Sequence, residues 1–483
     1  MTARNRYRVG RSIPVVSAAF LLVGAATVNA QDWASWRGPA NNGMTHGDAP
    51  ITWDESVNLK WKIPIVGRGF SSPVVWGDQI FITTAVRIDT DGAIIPEPER
   101  SRPVRRAWNG EARHRGDWRR RSTGRDGQNR RRDQNQRGGW WGRRRDSEPQ
   151  AAHRFLLLSI DKTTGAVLWE RAATEATPHE GFHPYYGSFA SHSPVTDGEH
   201  VFAYFGSRGV YCYDLAGNLI WSKDLGQMSK IMQFGEGTPI VLHEDYLIIK
   251  WDHEGESFIV ALDKARGEEL WRTLRDEITS WSPPLVVDHE GQKQVIVAAT
   301  RKVRSYDLET GDLIWEVAGL GRNQIPAPVH HGNLVYVMSG FIAPNLMAIQ
   351  LGNRGDLTDT DAIVWSNARA VAYTVSPVLF GNQLYVLTDR GVLTNFDATT
   401  GEVRYRERLP GPSGFKSSPV GANGKLYLSS EDGQVFVVKM GPTFKLLATN
   451  VLEDAVFIAT PAIVDGQIFF RSQDSLYCIT EIR

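Results

Sequence analysis

Cysteine is scarce in this chain, which has only Cys212 and Cys478 among its 483 residues. No C-x-x-C-H motif is present, so covalent haem attachment by that motif is excluded. Both cysteines occupy the same place in a repeated pattern whose other copies carry small or medium-sized residues there. We therefore predict two buried thiols rather than a disulfide.

Catalytic sequence motifs are lacking as well. The chain has no nucleophile elbow, no phosphate-binding P-loop and no dinucleotide fingerprint in a credible context. Without such a motif, no residue can be assigned a catalytic role from the sequence. The sequence therefore predicts the fold more firmly than the function, and enzyme activity is not expected but stays open.

Charge is absent from Ser12 to Gln31, directly after an arginine-rich start. This apolar run ends in small residues up to Ala30, a pattern typical of a secretory signal. We expect residues 1–30 to be removed and the mature protein to be periplasmic or secreted, with no stable membrane span. An uncleaved anchor is the alternative, because the uncharged run is about as long as a bilayer is thick.

The apolar residues that are present recur in a fixed order. Each copy has a Pro-led apolar run, a second β-branched and aromatic run, a third run that ends with Asp, and then Gly followed four residues later by an aromatic residue. The strand-leading prolines are Pro73, Pro194, Pro239, Pro284, Pro328, Pro377, Pro419 and Pro461. Four strands in about 42 to 50 residues are typical of a β-propeller blade. We predict an all-β, eight-bladed propeller of four-stranded antiparallel blades over residues 58–483.

The last copy is short, because too few residues follow Cys478 for an outer strand. Residues 58–64 (NLKWKIP) precede the first Pro-led strand and carry Trp61 where an outer-strand Trp would lie. We predict that these N-terminal residues complete blade eight and close the ring, which removes its unpaired edges.

Residues 31–57 are rich in Gly, Pro and Asn. This composition predicts an extended N-terminal lead-in without a blade of its own. We expect its Trp33 and Trp36 to lie on the propeller wall.

Arginine dominates an anomalous gap within blade one. Residues 100–145 contain seventeen arginines and four acidic residues, a local charge of +13, with almost no aliphatic residues. Such a composition cannot bury enough apolar surface to offset the entropy of ordering, so we predict that residues 88–152 form a disordered insert. One interpretation is a solvated loop without a partner. The other is polyanion contact through residues 100–145, without specific nucleic-acid binding, because the protein is predicted to be exported.

One face of a propeller with this strand order carries both the connections between blades and the hairpins between second and third strands. Polar side chains on this face, which we call the top face, can converge on a ligand. The candidate ligand-face residues are Trp251, Asp252, His253, Glu254, Arg301, Arg390, Lys416, Asp432 and Arg471. Their mixed charges and aromatic ring favour a small polar or anionic ligand.

Two short motifs on the top face bear on its chemistry. Residues 179–183 (HEGFH) match the HExxH pattern of zinc proteases, but Pro178, Pro184 and the internal Gly181 exclude the helix that this chemistry needs. We therefore predict no metal centre, with a looser metal site in a loop as the alternative. Residues 251–255 (WDHEG) place Asp, His and Glu side by side, but adjacent residues of a hairpin rarely converge, so a solvated hairpin is favoured over a proton-transfer site.

The repeated segments YCYDLAGNLIW, VALDKARGEELW, SYDLETGDLIW and NFDATTGEVRY resemble the repeat of pyrroloquinoline quinone (PQQ)-type propellers. This family includes quinoprotein alcohol dehydrogenases and the outer-membrane assembly factor BamB, and the resemblance covers roughly residues 58–483. The opening DWASWRGPANNG, with SSPVVWGDQIF, is more similar still to secreted bacterial PQQ-like repeat proteins of unassigned role. The resemblance implies that each repeat Trp docks onto the next blade. The structural docking residues would then be Trp61, Trp169, Trp221, Trp271, Trp315 and Trp365.

Departures from the family pattern discriminate between its functions. Quinoprotein dehydrogenases typically hold the quinone under a disulfide between adjacent cysteines, beside a calcium site and an Asp base, whereas Cys212 and Cys478 are far apart. BamB is a lipoprotein that binds partners, and no Cys follows the apolar run here to take a lipid. We predict a non-catalytic binding or scaffold protein with protein partners in the cell envelope and no cofactor. The alternatives are a dehydrogenase of alcohols or sugars that uses PQQ with calcium, and a polysaccharide- or polyanion-binding protein.

Overall fold

The computed structural model describes residues 32–96, 151–411 and 414–482. In these ranges the strands form eight sheets, each with four antiparallel strands. Most neighbouring inner strands contact one another around a ring, including those on either side of the junction between blades eight and one. The predicted all-β, eight-bladed propeller is confirmed.

Each blade has four strands, in order from the inner to the outer edge. Blade one comprises Val74–Trp76, Gln79–Ile88, Ala152–Asp161 and Val167–Ala176, and blade two comprises Val195–Thr196, His200–Tyr204, Val210–Asp214 and Leu219–Lys223. Blade three comprises Val241–His243, Tyr246–Trp251, Ser257–Asp263 and Glu269–Arg275, and blade four comprises Leu285–His289, Gln292–Ala298, Val303–Asp307 and Leu313–Val317. Blade five comprises Val329–His331, Leu334–Ser339, Asn345–Gln350 and Ile363–Asn367, and blade six comprises Val378–Phe380, Gln383–Leu387, Val392–Asp397 and Val403–Arg408. Blade seven comprises Val420–Ala422, Lys425–Ser429, Gln434–Lys439 and Leu446–Val451, and blade eight comprises Ala462–Val464, Gln467–Arg471, Ser475–Thr480 and Leu59–Pro64.

Four short segments complete the described elements. Met44–Thr45 adds to blade seven and Gly355–Asp356 to blade four, both in parallel. Gly206–Arg208 and Ile231–Gln233 are single 3-10 turns. Within the described ranges, neither helical turn is long and apolar enough to cross a membrane.

The ring closes through the two ends of the chain. Leu59–Pro64 pairs antiparallel with Ser475–Thr480 as the outer strand of blade eight, and Trp61 lies opposite Cys478. The predicted closure by an N-terminal strand is therefore confirmed. Because blade eight is built from both chain ends, its hydrogen bonds hold the whole ring shut.

A one-residue register shift occurs between the third and outer strands of every blade, beside the position of the repeat Trp. The residue opposite that position is small in most blades, and it is Cys212 in blade two and Cys478 in blade eight. Both thiols are buried and unpaired, as predicted, and burial raises the pKa of each to about 12. They are packing residues with little thiolate character at neutral pH.

The repeat tryptophans join neighbouring blades. In five of them the indole N–H donates to a backbone carbonyl of the next blade: Trp61 to Lys162, Trp169 to Leu215, Trp221 to Lys264, Trp271 to Leu308 and Trp365 to Ala398, at 2.8 to 3.3 Å. The glycine of the next repeat packs against the indole. A Cβ added at Gly267, for example, would lie 2.6 Å from the Trp221 ring. The fixed spacing thus places a glycine in the turn before the outer strand and a tryptophan at the contact with the next blade.

Trp315 departs from this arrangement. Its indole N–H donates to Gln294 Oε1 of its own blade at 3.0 Å. The turn of blade five is longer here, and its Gly355–Asp356 segment pairs with the outer strand that carries Trp315. Trp315 therefore lacks the indole hydrogen bond that the other five make to the next blade, but its side chain packs in the same apolar cluster as blade-five residues.

A belt of hydrogen bonds joins the inner strands at their top ends. The residue before the strand-leading proline donates its backbone N–H to the hydroxyl of the equivalent residue in the next blade. The bonds run from Ala327 to Ser376, Ser376 to Ser418, Ser418 to Thr460, Thr460 to Ser72 and Ser72 to Ser193, at 2.8 to 3.3 Å. The belt crosses the closure seam between blades eight and one, so it stabilises the ring at its inner edge as the tryptophans do farther out.

Residues 32–45 fill the central channel, and we call them the N-terminal plug. Trp33 forms an antiparallel bridge with Val75 on the inner strand of blade one, while Met44–Thr45 runs parallel to the inner strand of blade seven. At the turn between these two arms, the buried Arg37 guanidinium donates to the carbonyls of Pro377 and Pro419. The chain therefore enters the ring from the bottom, turns near the top and leaves at the bottom.

The position of Trp33 corrects a prediction. Trp33 is 0% exposed inside the channel rather than on the propeller wall. Trp36 is half-buried beside Arg37, whose guanidinium carbon lies 5.5 Å from its ring centre. A lead-in without a blade of its own can bury these rings because the inner strands leave hydrogen-bonding groups facing the axis.

Candidate functional site

The longest connection between blades in the described chain covers part of the top face. It comprises residues 177–194, between the outer strand of blade one and the inner strand of blade two, and we call it the first connection. Tyr186 in this segment donates from its hydroxyl to Glu431 of blade seven at 3.4 Å. The first connection thus reaches past the junction of blades eight and one and spans part of the ring's central opening.

Charged residues of blades six and seven surround the Tyr186 ring. Lys416 Nζ lies 4.8 Å from the ring centre, 3.0 Å from Asp389 Oδ1 and 3.8 Å from Glu431 Oε1. Burial, together with the charge of Glu431, raises the pKa of Tyr186 to about 12, and burial raises the pKa of Glu431. Tyr186 is therefore a neutral hydrogen-bond donor at physiological pH rather than a proton-transfer group.

Aromatic rings remain exposed above this charged group. Tyr185 is 49% and Tyr186 40% exposed, and the His183 ring stacks on Tyr186 with 4.9 Å between ring centres. We call His183, Tyr185 and Tyr186 the aromatic patch. Arg68 holds the segment from below, because its guanidinium donates to the carbonyl of Gly187 at 3.1 Å.

A cleft separates the first connection from residues 224–240, the second connection, which joins blades two and three. It encloses about 30 Å³ and is lined by Phe155, Pro178, His179, Glu180, Gly181, Ser188, Phe189, Phe205, Ser207, Arg208, Gly235 and Glu236. Both oxygens of the Glu180 carboxylate accept the Lys230 backbone N–H, at 3.0 and 3.1 Å. Glu236 accepts the Ser207 N–H at 2.6 Å. Burial raises the pKa of both carboxyl groups.

Comparison with known proteins agrees with this fold. Residues 154–257, 255–349 and 354–440 match a family model described as outer membrane protein assembly factor BamB. The chain belongs to the BamB family of PQQ-like propellers. No curated protein sequence matches the chain.

Solved structures that align with this BamB-family chain include three at low sequence identity. Quinohemoprotein alcohol dehydrogenase from Comamonas testosteroni aligns with a TM-score of 0.58 and 10% identity over 94% of this chain and 81% of that one. The computationally designed Ika8 protein aligns with a TM-score of 0.50 and 14% identity over 69% of this chain and 94% of that one. BamB from Moraxella catarrhalis aligns with a TM-score of 0.48 and 13% identity over 67% of this chain and 91% of that one. At such identities the likeness concerns the fold alone.

Four of the predicted ligand-face residues are buried in this BamB-family propeller, namely Trp251, Asp252, His253 and Arg471, and the first two lie in the interior of blade three. Asp252 accepts from the Arg275 Nε–H at 2.8 Å and from the Ser280 hydroxyl at 2.8 Å. Trp251 stacks on Phe258 inside the core, with 5.5 Å between ring centres. The prediction of Trp251 and Asp252 as part of an accessible ligand face is wrong, because both lie at the buried top end of the second strand of blade three.

Arg471 is a third correction. It is 1% exposed, and its Nη1 donates to the carbonyl of Ser71 at 3.1 Å in the connection between blades eight and one. It therefore supports the closure seam rather than a ligand. No carboxylate of the described residues pairs with it, and burial lowers its pKa to about 9.

His253 and Glu254 brace the second and third connections. His253 Nδ1 accepts the backbone N–H of Ser229 at 3.1 Å, and Glu254 Oε1 accepts that of Thr279 at 3.2 Å. With Asp252 paired to Arg275, the three ionisable side chains of the WDHEG hairpin turn to different partners. The three side chains do not meet one another; Asp252 and His253 are buried, whereas residues 254–256 at the tip of the hairpin are exposed.

The remaining predicted residues divide between surface and site. Arg301, Arg390 and Asp432 are exposed on separate blades, whereas Lys416 joins the group around Tyr186. The structure thus brings one of the nine predicted residues into the best-formed part of the top face. The length and aromatic content of FHPYYGSF, residues 182–189, were the available signal for Tyr186.

Proposed function

We propose that this BamB-family propeller is a non-catalytic binding or scaffold protein of the cell envelope, and that its partner docks on the aromatic patch. The observation that carries the proposal is the filled centre of the ring. The N-terminal plug occupies the channel, and the first connection lies over part of its opening, so the accessible top face is a protein surface rather than a deep pocket. Exposed Tyr side chains beside paired charges are suited to partner binding.

The residues present do not fit the quinone arrangement of the dehydrogenase branch, which supports the same proposal. Cys212 and Cys478 lie opposite Trp221 and Trp61 between third and outer strands, in blades that are not neighbours, and cannot form a disulfide over a quinone. Asp252, the acidic residue at the start of the WDHEG hairpin's polar run, is held by Arg275 in the interior and is not available as a base. We therefore propose no quinone and no PQQ-dependent turnover.

Export and polyanion contact remain parts of the proposal. Residues 1–31 and 97–150 lie outside the described residues, so the predicted signal segment and most of the predicted insert keep the status of predictions. Ile88 and Ala152, the bounds of the predicted insert, both lie in strands, and Ile88 forms a bridge with Ile94. Membership of the BamB family supports an envelope location and protein partners.

Site-specific cross-linking tests the docking surface. A photoreactive phenylalanine analogue at Tyr185 should form a discrete adduct with a partner in the cell that makes this protein, because that ring is half exposed. Phe380 is the matched control. It is an aromatic residue of similar exposure, 39%, at the first hairpin of blade six on the opposite face. Adducts from Phe380 but not from Tyr185 would contradict the proposed surface, as would no protein adduct at either position.

A polysaccharide partner is the alternative that the same surface allows, since exposed rings beside carboxylates also suit sugar binding. In that case Tyr185 would yield no protein adduct, and a glycan array would show binding that Tyr186→Ser abolishes. The cross-link to a protein is the outcome that we expect.

A further inference from the structure

We propose that the cleft between the first and second connections is a binding site for a transition-metal dication such as Zn²⁺. The ligands are His179 Nδ1 and one carboxylate oxygen from each of Glu180 and Glu236, which lie within 4.8 Å of one another. His179 and Glu180 belong to the HExxH-like motif, but the third member comes from another connection. The site therefore differs from a protease helix, and it does not depend on the proposed scaffold function.

The His179 ring is oriented for metal binding. Its Nε2 lies 2.7 Å from the carbonyl oxygen of Met228, which can only accept, so Nε2 carries the proton. Nδ1 is then the unprotonated nitrogen that faces the cleft. Histidine ligands usually donate their other ring N–H to such a partner, which fixes the tautomer and the ring orientation.

An independent observation near Glu236 points to a bound group. His192 is 1% exposed, and neither ring nitrogen has a hydrogen-bond partner among the described residues. A Cβ added at Gly206 would overlap Glu236 Oε2 and lie 3.1 Å from His192 Cε1. Because Cε1 lies between the two nitrogens, the unpartnered edge of the imidazole faces the Glu236 carboxylate.

The hydroxyl of Tyr204 is also buried without a partner among the described residues, and its ring packs 4.4 Å from that of His192. Buried polar groups are nearly always hydrogen-bonded, so two adjacent exceptions call for an explanation. A metal ion bound at Glu236, together with a water molecule on that ion, would give His192 and Tyr204 a hydrogen-bond partner.

The size and chemistry of the cleft select the ligand class. About 30 Å³ is enough space for an ion with a bound water. One imidazole and two carboxylates leave an open position in a tetrahedral Zn²⁺ site, whereas Ca²⁺ prefers six to eight oxygen ligands. A site with a nitrogen ligand and few oxygens therefore favours Zn²⁺ over Ca²⁺ and Mg²⁺.

Arg208 competes with the ion. Its Nη2 lies 2.9 Å from His179 Nδ1, the atom assigned to the metal. The Arg208 side chain is only half-buried, so it can move into solvent when the ion binds. Removal of this guanidinium should therefore strengthen metal binding, an effect that a purely structural cluster would not show.

A bound ion would fix the first connection to the start of blade three. His179 and Glu180 lie in the connection that carries the aromatic patch, whereas Glu236 lies in the second connection. The metal would thus hold the segment that reaches across the top face.

Calorimetric titration of the whole metal-stripped protein with ZnCl₂, MnCl₂ and CaCl₂ tests the site. We expect one Zn²⁺ per chain in the cleft, weaker Mn²⁺ binding and no Ca²⁺ binding. His179→Ala and Glu236→Gln should each weaken Zn²⁺ binding by roughly 100-fold or more, because loss of a second-shell partner alone costs roughly 10–100-fold. Arg208→Ala should tighten it.

His183→Ala is the matched control. His183 belongs to the same motif, but its Nδ1 accepts the backbone N–H groups of Tyr185 and Tyr186 at 3.3 and 3.2 Å, and His183 is not among the residues that line the cleft. Unchanged Zn²⁺ affinity in this variant supports the site, provided that every metal-free variant melts cooperatively. Absence of Zn²⁺ binding, or equal losses in His183→Ala and His179→Ala, would overturn it.

Discussion

Trp61→Ala is expected to lower the free energy of unfolding by about 3 kcal/mol, the lower end of the usual cost of truncating a buried Trp, because Trp61 is partly buried. The Trp61 ring packs 6.0 Å from Phe469, and its indole N–H bonds the carbonyl of Lys162 in blade one. Because this residue sits on the strand that closes the ring, the loss should appear in global unfolding measured by denaturant titration.

Trp221→Ala provides the matched comparison. Its indole lies 6.0 Å from Phe202 and donates to Lys264 of the next blade at 2.9 Å, so the local contacts resemble those of Trp61. We expect the two losses to agree within about 1 kcal/mol. A Trp61→Ala protein that unfolds like the unmutated protein would show that Leu59–Pro64 does not hold the ring closed.

Asp252→Ala is expected to cost about 3 to 5 kcal/mol, because it leaves buried cations without their partner. Asp252 is 0% exposed and pairs with the equally buried Arg275 at 2.8 Å and with Lys250 at 3.7 Å. Burial alone would raise the pKa of Asp252, but Arg275 and then Lys250 reverse this and lower it. The stabilisation from this carboxylate is therefore present above its unfolded pKa and is lost as the pH falls through the lower folded value.

Arg390→Ala is the control for this prediction. The sequence predicts both residues to lie on one accessible face, but only Arg390 is exposed, whereas Asp252 is buried. A surface change of this kind should alter the free energy of unfolding by roughly 0.5 kcal/mol or less. Equal tolerance of both substitutions in thermal melts would contradict the buried network around Asp252.

The blade pattern could be predicted because it repeats in the chain itself. The eight strand-leading prolines, the Gly-to-Trp spacing and the displaced Trp61 each have counterparts elsewhere in the sequence. The hydroxyl residues that precede several of those prolines also recur at the same repeat position. Only the structure shows that the backbone N–H of one blade donates to the hydroxyl of the next.

The site could not be predicted in the same way, because its contacts join residues that do not repeat. Tyr186 meets Glu431 and Lys416 across the ring, and Arg471 meets Ser71 through the closure. A charged residue at a strand end has the same local sequence whether it faces solvent or a buried partner. The burial of Asp252 is therefore decided by Arg275, which the hairpin motif itself does not contain.

The N-terminal plug illustrates the same limit. Its residues contact the inner strands of blades one and seven, which lie far apart in the sequence. Gly, Pro and Asn in residues 31–57 predict irregular backbone but not where that backbone lies. The filled channel follows only from the three-dimensional pairing.

Titration of the purified protein with PQQ and calcium, followed by calorimetry and by dye reduction with alcohols and sugars, tests the central claim most directly. A quinoprotein alcohol dehydrogenase serves as the positive control. The filled channel and the separated cysteines predict no heat of quinone binding and no dye reduction. Tight stoichiometric binding with turnover would contradict the claim that this propeller is a non-catalytic binding protein.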